Sequence, residues 1–124
     1  MANELTVTVS LKVANGSLVQ QHAPGSQTFN QSTALSVGGV QPIGHTTHEA
    51  LYIGADIANR GWCYMRNLDN ANHVSVGVLV SSTFYPLVHL EPGEATVFRM
   101  HPTAVPYAQA QSATVNLQYM IYAD

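Results

Sequence analysis

Six histidines, seven carboxylates and one cysteine carry the chemical reach of this 124-residue chain, and their spacing decides which reactions can be entertained. His45-Thr46-Thr47-His48-Glu49 is the densest donor cluster. On a helix His45 and His48 would share a face, but Gly44 and the threonines favour loop or strand, where the odd spacing sends them to opposite faces. The segment reads as a solvated loop that contains histidine. Cys63 has no second cysteine to bridge, and its neighbours Trp62, Tyr64 and Met65 indicate a buried, inert thiol. The sequence holds no Gly-x-Ser-x-Gly nucleophile elbow. Asp56, Asp69, Glu91 and Glu94 could supply an acid and a base, yet each falls at or near a turn, where a carboxylate ordinarily bonds nearby backbone. The reading is a protein without catalytic residues, metal or cofactor, and not an enzyme.

Composition bounds the remaining classes. A chain of 124 residues is expected to form one domain. Only 9% of its residues are charged, against roughly 25% in ordinary soluble domains. Such a surface suits a protein packed against neighbours. The formal charge of −3, with Lys12, Arg60, Arg66 and Arg99 as the fixed cations, argues against nucleic-acid binding, which needs clustered basic residues to displace counterions. No apolar run approaches the roughly 20 residues of a membrane-spanning helix, and the start Met-Ala-Asn-Glu lacks the basic and apolar regions of a secretory signal. The expectation is no membrane partner and residence in the cytosol where the chain is made.

The elements that would position any site are strands. Leu5, Val7, Val9, Leu11 and Val13 alternate with polar residues, a period that a helix cannot place on one face. Asn15-Gly16 fits a type I′ turn, so Ser17 to His22 should return as an N-terminal hairpin over about residues 4–22, broken at Pro24-Gly25. Phe29, Leu35 and Val37 are the expected inward residues of the next, weakly patterned segment. Gly38-Gly39 and Pro42 to Gly44 predict a loop. Strands follow at Glu49 to Ile53, Trp62 to Leu68 and His73 to Val80, the last two after a turn at Asn59-Arg60-Gly61 and either side of the polar turn containing Asp69, Asn70 and Asn72. Ser81 to Thr83 closes a hairpin onto Phe84 to Leu90, which must be an edge or carry a bulge because Pro86 has no amide hydrogen. Glu91-Pro92-Gly93-Glu94 predicts a type II turn and another hairpin onto Ala95 to Met100. His101 to Ser112 reads as a long loop, and Ala113 to Tyr122 as the closing strand. Eight or nine short strands call for an all-β, antiparallel β-sandwich or barrel spanning residues 1–124.

Arg66-Asn67-Leu68-Asp69, Asn72-His73-Val74-Ser75-Val76-Gly77, Leu90-Glu91-Pro92-Gly93-Glu94 and Leu117-Gln118-Tyr119 resemble the pattern of small structural proteins of tailed bacteriophages. The resemblance covers the chain from about Thr46 onward and excludes the N-terminal hairpin. It implies a virion component and, among sandwiches, a jelly roll.

The function expected on this basis is a non-enzymatic virion structural protein, foremost a capsid decoration or cement subunit that stabilises the shell by protein–protein contact. Its partners would be the major capsid protein or other virion proteins, with homo-oligomers expected and the virion as final location. Tail, neck or fibre placement is the alternative, as is a carbohydrate-binding module using Trp62, Tyr64, Tyr107, Tyr119 and Tyr122 as an aromatic platform. Long regular edges invite pairing. The contact residues expected are Leu5, Val7, Val9 and Leu11 on the first strand, with Pro102, Pro106 and Tyr107 on a later loop; Ala113 to Tyr122 is a further candidate edge.

Overall fold

The computed structural model describes residues 4–124 and divides the chain into two compact units, Met1–Thr33 and Ala34–Asp124. Among the described residues all of the regular structure is antiparallel β.

The first unit is a ribbon of β1 (Leu5–Asn15) and β2 (Leu18–Phe29), longer than the expected hairpin. Its turn residues are Gly16 and Ser17, not Asn15 and Gly16, because Asn15 pairs with Leu18 and Gly16 alone takes positive φ, at 57°. Glycine first is the type II′ solution, whose twist also matches the flanking strands. Pro24-Gly25 does not break β2. Val9 pairs with Gly25 and Leu11 with His22, so Ala23 and Pro24 lie opposite Ser10 as a bulge, a position that needs no proline donor. The Gln31 amide donates to the Glu4 carboxylate across the open end.

The second unit is a β-sandwich. One sheet orders β3 (Ser36–Ile43), β10 (Val115–Ala123), β5 (Arg60–Asn67) and β8 (Ala95–Arg99) as β3-β10-β5-β8. The other orders β4 (Glu49–Ala50), β9 (Tyr107–Ala110), β6 (Val74–Val80) and β7 (Thr83–Leu90) as β4-β9-β6-β7. The pairs β6–β7, β5–β8, β4–β9 and β3–β10 are nested around one hairpin, so every connection except β6–β7 passes between sheets. Alternation carries Cys63 and Met65 from β5, Val74 and Val76 from β6, and Val115, Leu117, Tyr119 and Ile121 from β10 into one shared core.

Several expectations fail here for local reasons. Gly38 to Gly44 is mostly strand: β3 is an outer strand, where Pro42 is tolerated, and its Ile43 is fully buried. Strand β4 is two residues long, although Leu51 and Ile53 beyond it are buried as expected. The long loop after His101 contains β9, whose alternation of Ala108 and Ala110 inward rests on alanine, a residue that seldom marks strands. Ala113 to Tyr122 is not an edge, since β10 is hydrogen-bonded on both sides.

Two turns match their sequence signatures and lead to different topologies. Ser81 and Ser82 both have positive φ, 49° and 65°, the type I′ geometry that closes β6 onto β7. At Glu91-Pro92-Gly93-Glu94, Gly93 has φ of 82° and the Glu94 amide donates to the Glu91 carbonyl at 3.0 Å, as a type II turn requires. That turn splays its flanking strands against their natural twist, so β7 and β8 part into separate sheets and the expected hairpin does not form. Pro86 sits as anticipated: β7 is an edge strand, and its register with β6 shifts between Val76 and Gly77.

A Cβ added at Gly38 would stand 2.0 Å from the Tyr119 carbonyl oxygen, a clash with backbone of the central strand. Gly38→Ala is expected to destabilise the sandwich by about 3 kcal/mol, the upper range for overpacking, read as a lowered midpoint in urea unfolding.

Candidate functional site

The sequence segments around Asn67, Asn72 and Glu91 converge at one corner of the sandwich, and a single side chain holds them. Asn67, the last residue of β5, is fully buried. Its side-chain amide donates to the carbonyls of Asn72 at 2.9 Å and Leu90 at 3.1 Å, and its Oδ1 accepts the Asp69 amide at 2.9 Å. Its own backbone amide donates to the Glu94 carbonyl, and its carbonyl accepts the Gly93 amide. One buried asparagine thereby joins the end of β5, the 68–73 turn and the 91–94 turn.

Asp69 completes the first of these turns. Its carboxylate accepts the Asn72 amide at 2.6 Å and the Ala71 amide at 2.9 Å. Those backbone donors favour the ionised form and hold the Asp69 carboxyl below its ordinary range. This is turn chemistry, as expected from sequence.

The clamped backbone presents three donor side chains outward. His73 follows Asn72 and is bonded twice to Gln111, its amide donating to the Gln111 side-chain Oε1 and its carbonyl accepting the Gln111 backbone amide. His89 and Glu91 flank Leu90 on the neighbouring strand and turn. His89 Nε2 lies 2.8 Å from Glu91 Oε1, and the His73 and His89 rings stand with centroids 4.3 Å apart. One donor atom from each of His73, His89 and Glu91 falls within 4.8 Å of the others. Sequence reasoning missed this grouping because His73 is sixteen residues from His89 and only strand register, Ser75 opposite His89, makes them neighbours.

The cluster that sequence spacing did offer is structural. His48 stacks on Phe84 at 5.9 Å and meets Tyr107 edge-on at 5.7 Å. Glu49 accepts the Gln41 side-chain amide and the Gly44 backbone amide, tying β3 to the segment that follows it. Cys63 is buried, and desolvation pushes its thiol up to about 12, so no thiolate is present at neutral pH.

The expected contact residues separate. On β1, Val9 and Leu11 are 50% and 58% exposed, Leu5 is half-buried, and Val7 is buried. On the later segment, Pro106 is buried and its carbonyl accepts the Leu51 amide, while Pro102 is half-buried and its carbonyl accepts the Arg60 amide. Tyr107 is half-buried against His48. The five-aromatic platform does not assemble either: Tyr119 faces the core and donates its hydroxyl to the Tyr52 carbonyl at 2.6 Å, while Trp62 and Tyr64 occupy the opposite side of their sheet on β5. No family model matches the sequence, and no curated protein or solved structure matches it.

Asn67→Ala is expected to cost about 2–5 kcal/mol, since it strands the Asn72 and Leu90 carbonyls at a buried corner, and hydrogen–deuterium exchange should locate the loosening at residues 68–73 and 91–94. For Asp69, whose folded carboxyl is depressed, the stabilisation is complete above the unfolded value of about 3.9 and is lost as pH falls through the lower folded value. The stability gap between the wild type and Asp69→Ala should therefore hold constant through neutral pH and close in acid below about pH 4, measured by urea titration across pH.

Proposed function

We propose that this protein is a non-enzymatic structural component that acts by assembly, and specifically a tailed-bacteriophage virion protein of the capsid decoration or cement kind. The observation that carries the reading is the β1–β2 ribbon. It is a two-stranded sheet, so among the described residues the outer edge of each strand has no strand beside it. It exposes Val9, Leu11, Leu18 and Val19, and its only fixed cation is Lys12. An isolated two-stranded ribbon is marginal in water, and unguarded edges recruit another chain.

The sandwich supports the same reading. Its nested pairing, in orders β3-β10-β5-β8 and β4-β9-β6-β7, supports reading it as a jelly roll, an architecture common in capsid and lectin domains. Of the polar groups that sequence singled out as chemical, Asp69 is spent on a turn and Glu49 on a cross-strand tie. The mechanism is additive burial: each copy binds the assembled shell and not the loose subunits, and raises shell stability by mass action. Partners are the major capsid protein or a further copy of this chain, and the virion is the place of action.

Replacing Val9 and Leu11 together by lysine charges the ribbon's apolar face without touching the sandwich core. The double variant is expected to fold and to lose self-association and particle binding, seen by size-exclusion with light scattering and by co-sedimentation with capsids. Normal decoration by this variant, or absence of the protein from purified particles, would overturn the proposal.

A further inference from the structure

The corner clamped by Asn67 carries a donor set that the assembly reading does not use. We propose that His73, His89 and Glu91 bind a divalent transition-metal ion, with zinc as the best match. Two imidazole nitrogens and one carboxylate oxygen form one of the three-ligand sets that zinc accepts while leaving a further position open.

The geometry is close to what the ion needs. Zinc with bonds of about 2.0–2.1 Å in tetrahedral geometry holds its ligand atoms about 3.3 Å apart. Here the three donor atoms lie within 4.8 Å of one another, and the His89 to Glu91 separation is 2.8 Å, so small side-chain rotations convert one arrangement into the other. The side chains are half-buried at His73 and exposed at His89 and Glu91, which leaves a path for entry.

The backbone beneath the cluster is already fixed. Asn67 holds the carbonyl of Asn72, immediately before His73, and that of Leu90, between His89 and Glu91. Glu91 opens a closed type II turn, and His73 is bonded to Gln111 across the sheet. Pre-ordering of this kind lowers the entropy lost when the ligands are gathered. Beside His73 lies a shallow cavity of about 200 Å³ lined by His73, Ser75, Phe84, Pro86, Gln109 and Ala110, large enough to hold water. No lysine or arginine lines it, so no fixed positive charge in that lining opposes a cation.

The site uses none of the ribbon's exposed aliphatic residues, and its test does not depend on any virion. Tag-free, chelator-treated full-length protein is titrated with zinc chloride by calorimetry, and cobalt(II) is added in parallel for its visible absorption. The expected result is one ion per chain, a zinc-dependent rise in melting temperature, and cobalt bands of a low-symmetry nitrogen–oxygen site. His73→Ala, His89→Ala and Glu91→Gln should each weaken binding at least tenfold, while His48→Ala and His101→Ala bind as the wild type does. Glu91→Gln changes an exposed side chain and keeps the comparison valid if a histidine variant fails to fold. Absence of saturable binding by the wild type at millimolar zinc, or unchanged affinity in Glu91→Gln and His89→Ala, overturns the assignment.

Discussion

The sandwich depends on one buried polar residue more than on any single apolar contact. Asn67 is fully buried and uses its side-chain amide, its side-chain oxygen and both backbone groups in hydrogen bonds to two separate stretches of chain, 69–72 and 90–94. A buried amide with unmet bonds would cost more than an aliphatic side chain of the same size gains, so the position is favourable only when every partner arrives. That requirement makes the residue a register device. It accepts a single arrangement of the turn after β5 and of the turn after β7, and so fixes which strand ends meet at this corner.

Around that corner the topology follows from turn geometry. The Ser81-Ser82 turn twists with its strands and makes a hairpin, whereas the Pro92-Gly93 turn twists against them and sends the chain to the opposite sheet. Two short turns of similar length thus have opposite consequences. The core then fills from both sheets by simple alternation, with Val74 and Val76 facing Met65, Leu117 and their neighbours in one apolar cluster.

Much of this was legible in sequence, and the failures have physical causes. Period-two alternation located β1, β6, β7 and β10, which carry branched or aromatic residues at alternating positions, and β5, where Cys63 and Met65 alternate with Trp62 and Tyr64. It missed β9, whose inward residues are alanines, and most of β3, where glycine and proline suggest a loop until the close approach to Tyr119 and the outer position of the strand explain them. The Pro92-Gly93 type II turn carries in its own geometry the reason that no hairpin forms there. Strand adjacency was beyond reach: the meeting of His73 with His89 and Glu91 is a matter of register, and no linear spacing encodes it. The His45 to Glu49 cluster showed the reverse, a suggestive spacing whose side chains are used for ring packing and cross-strand ties.

The nesting of strand pairs around β6–β7 imposes an order on assembly of the sandwich. Each successive pair encloses a longer loop, so the chain entropy lost on closure grows from the inner hairpin to β3 with β10. Because β10 sits between β3 and β5, the outermost closure is also the one that supplies the spine of its sheet. Until that strand docks, β5 exposes a bare ladder beside Cys63 and Met65, and folding becomes a race between insertion of the chain's own late-arriving strand and capture of the vacancy by a foreign one.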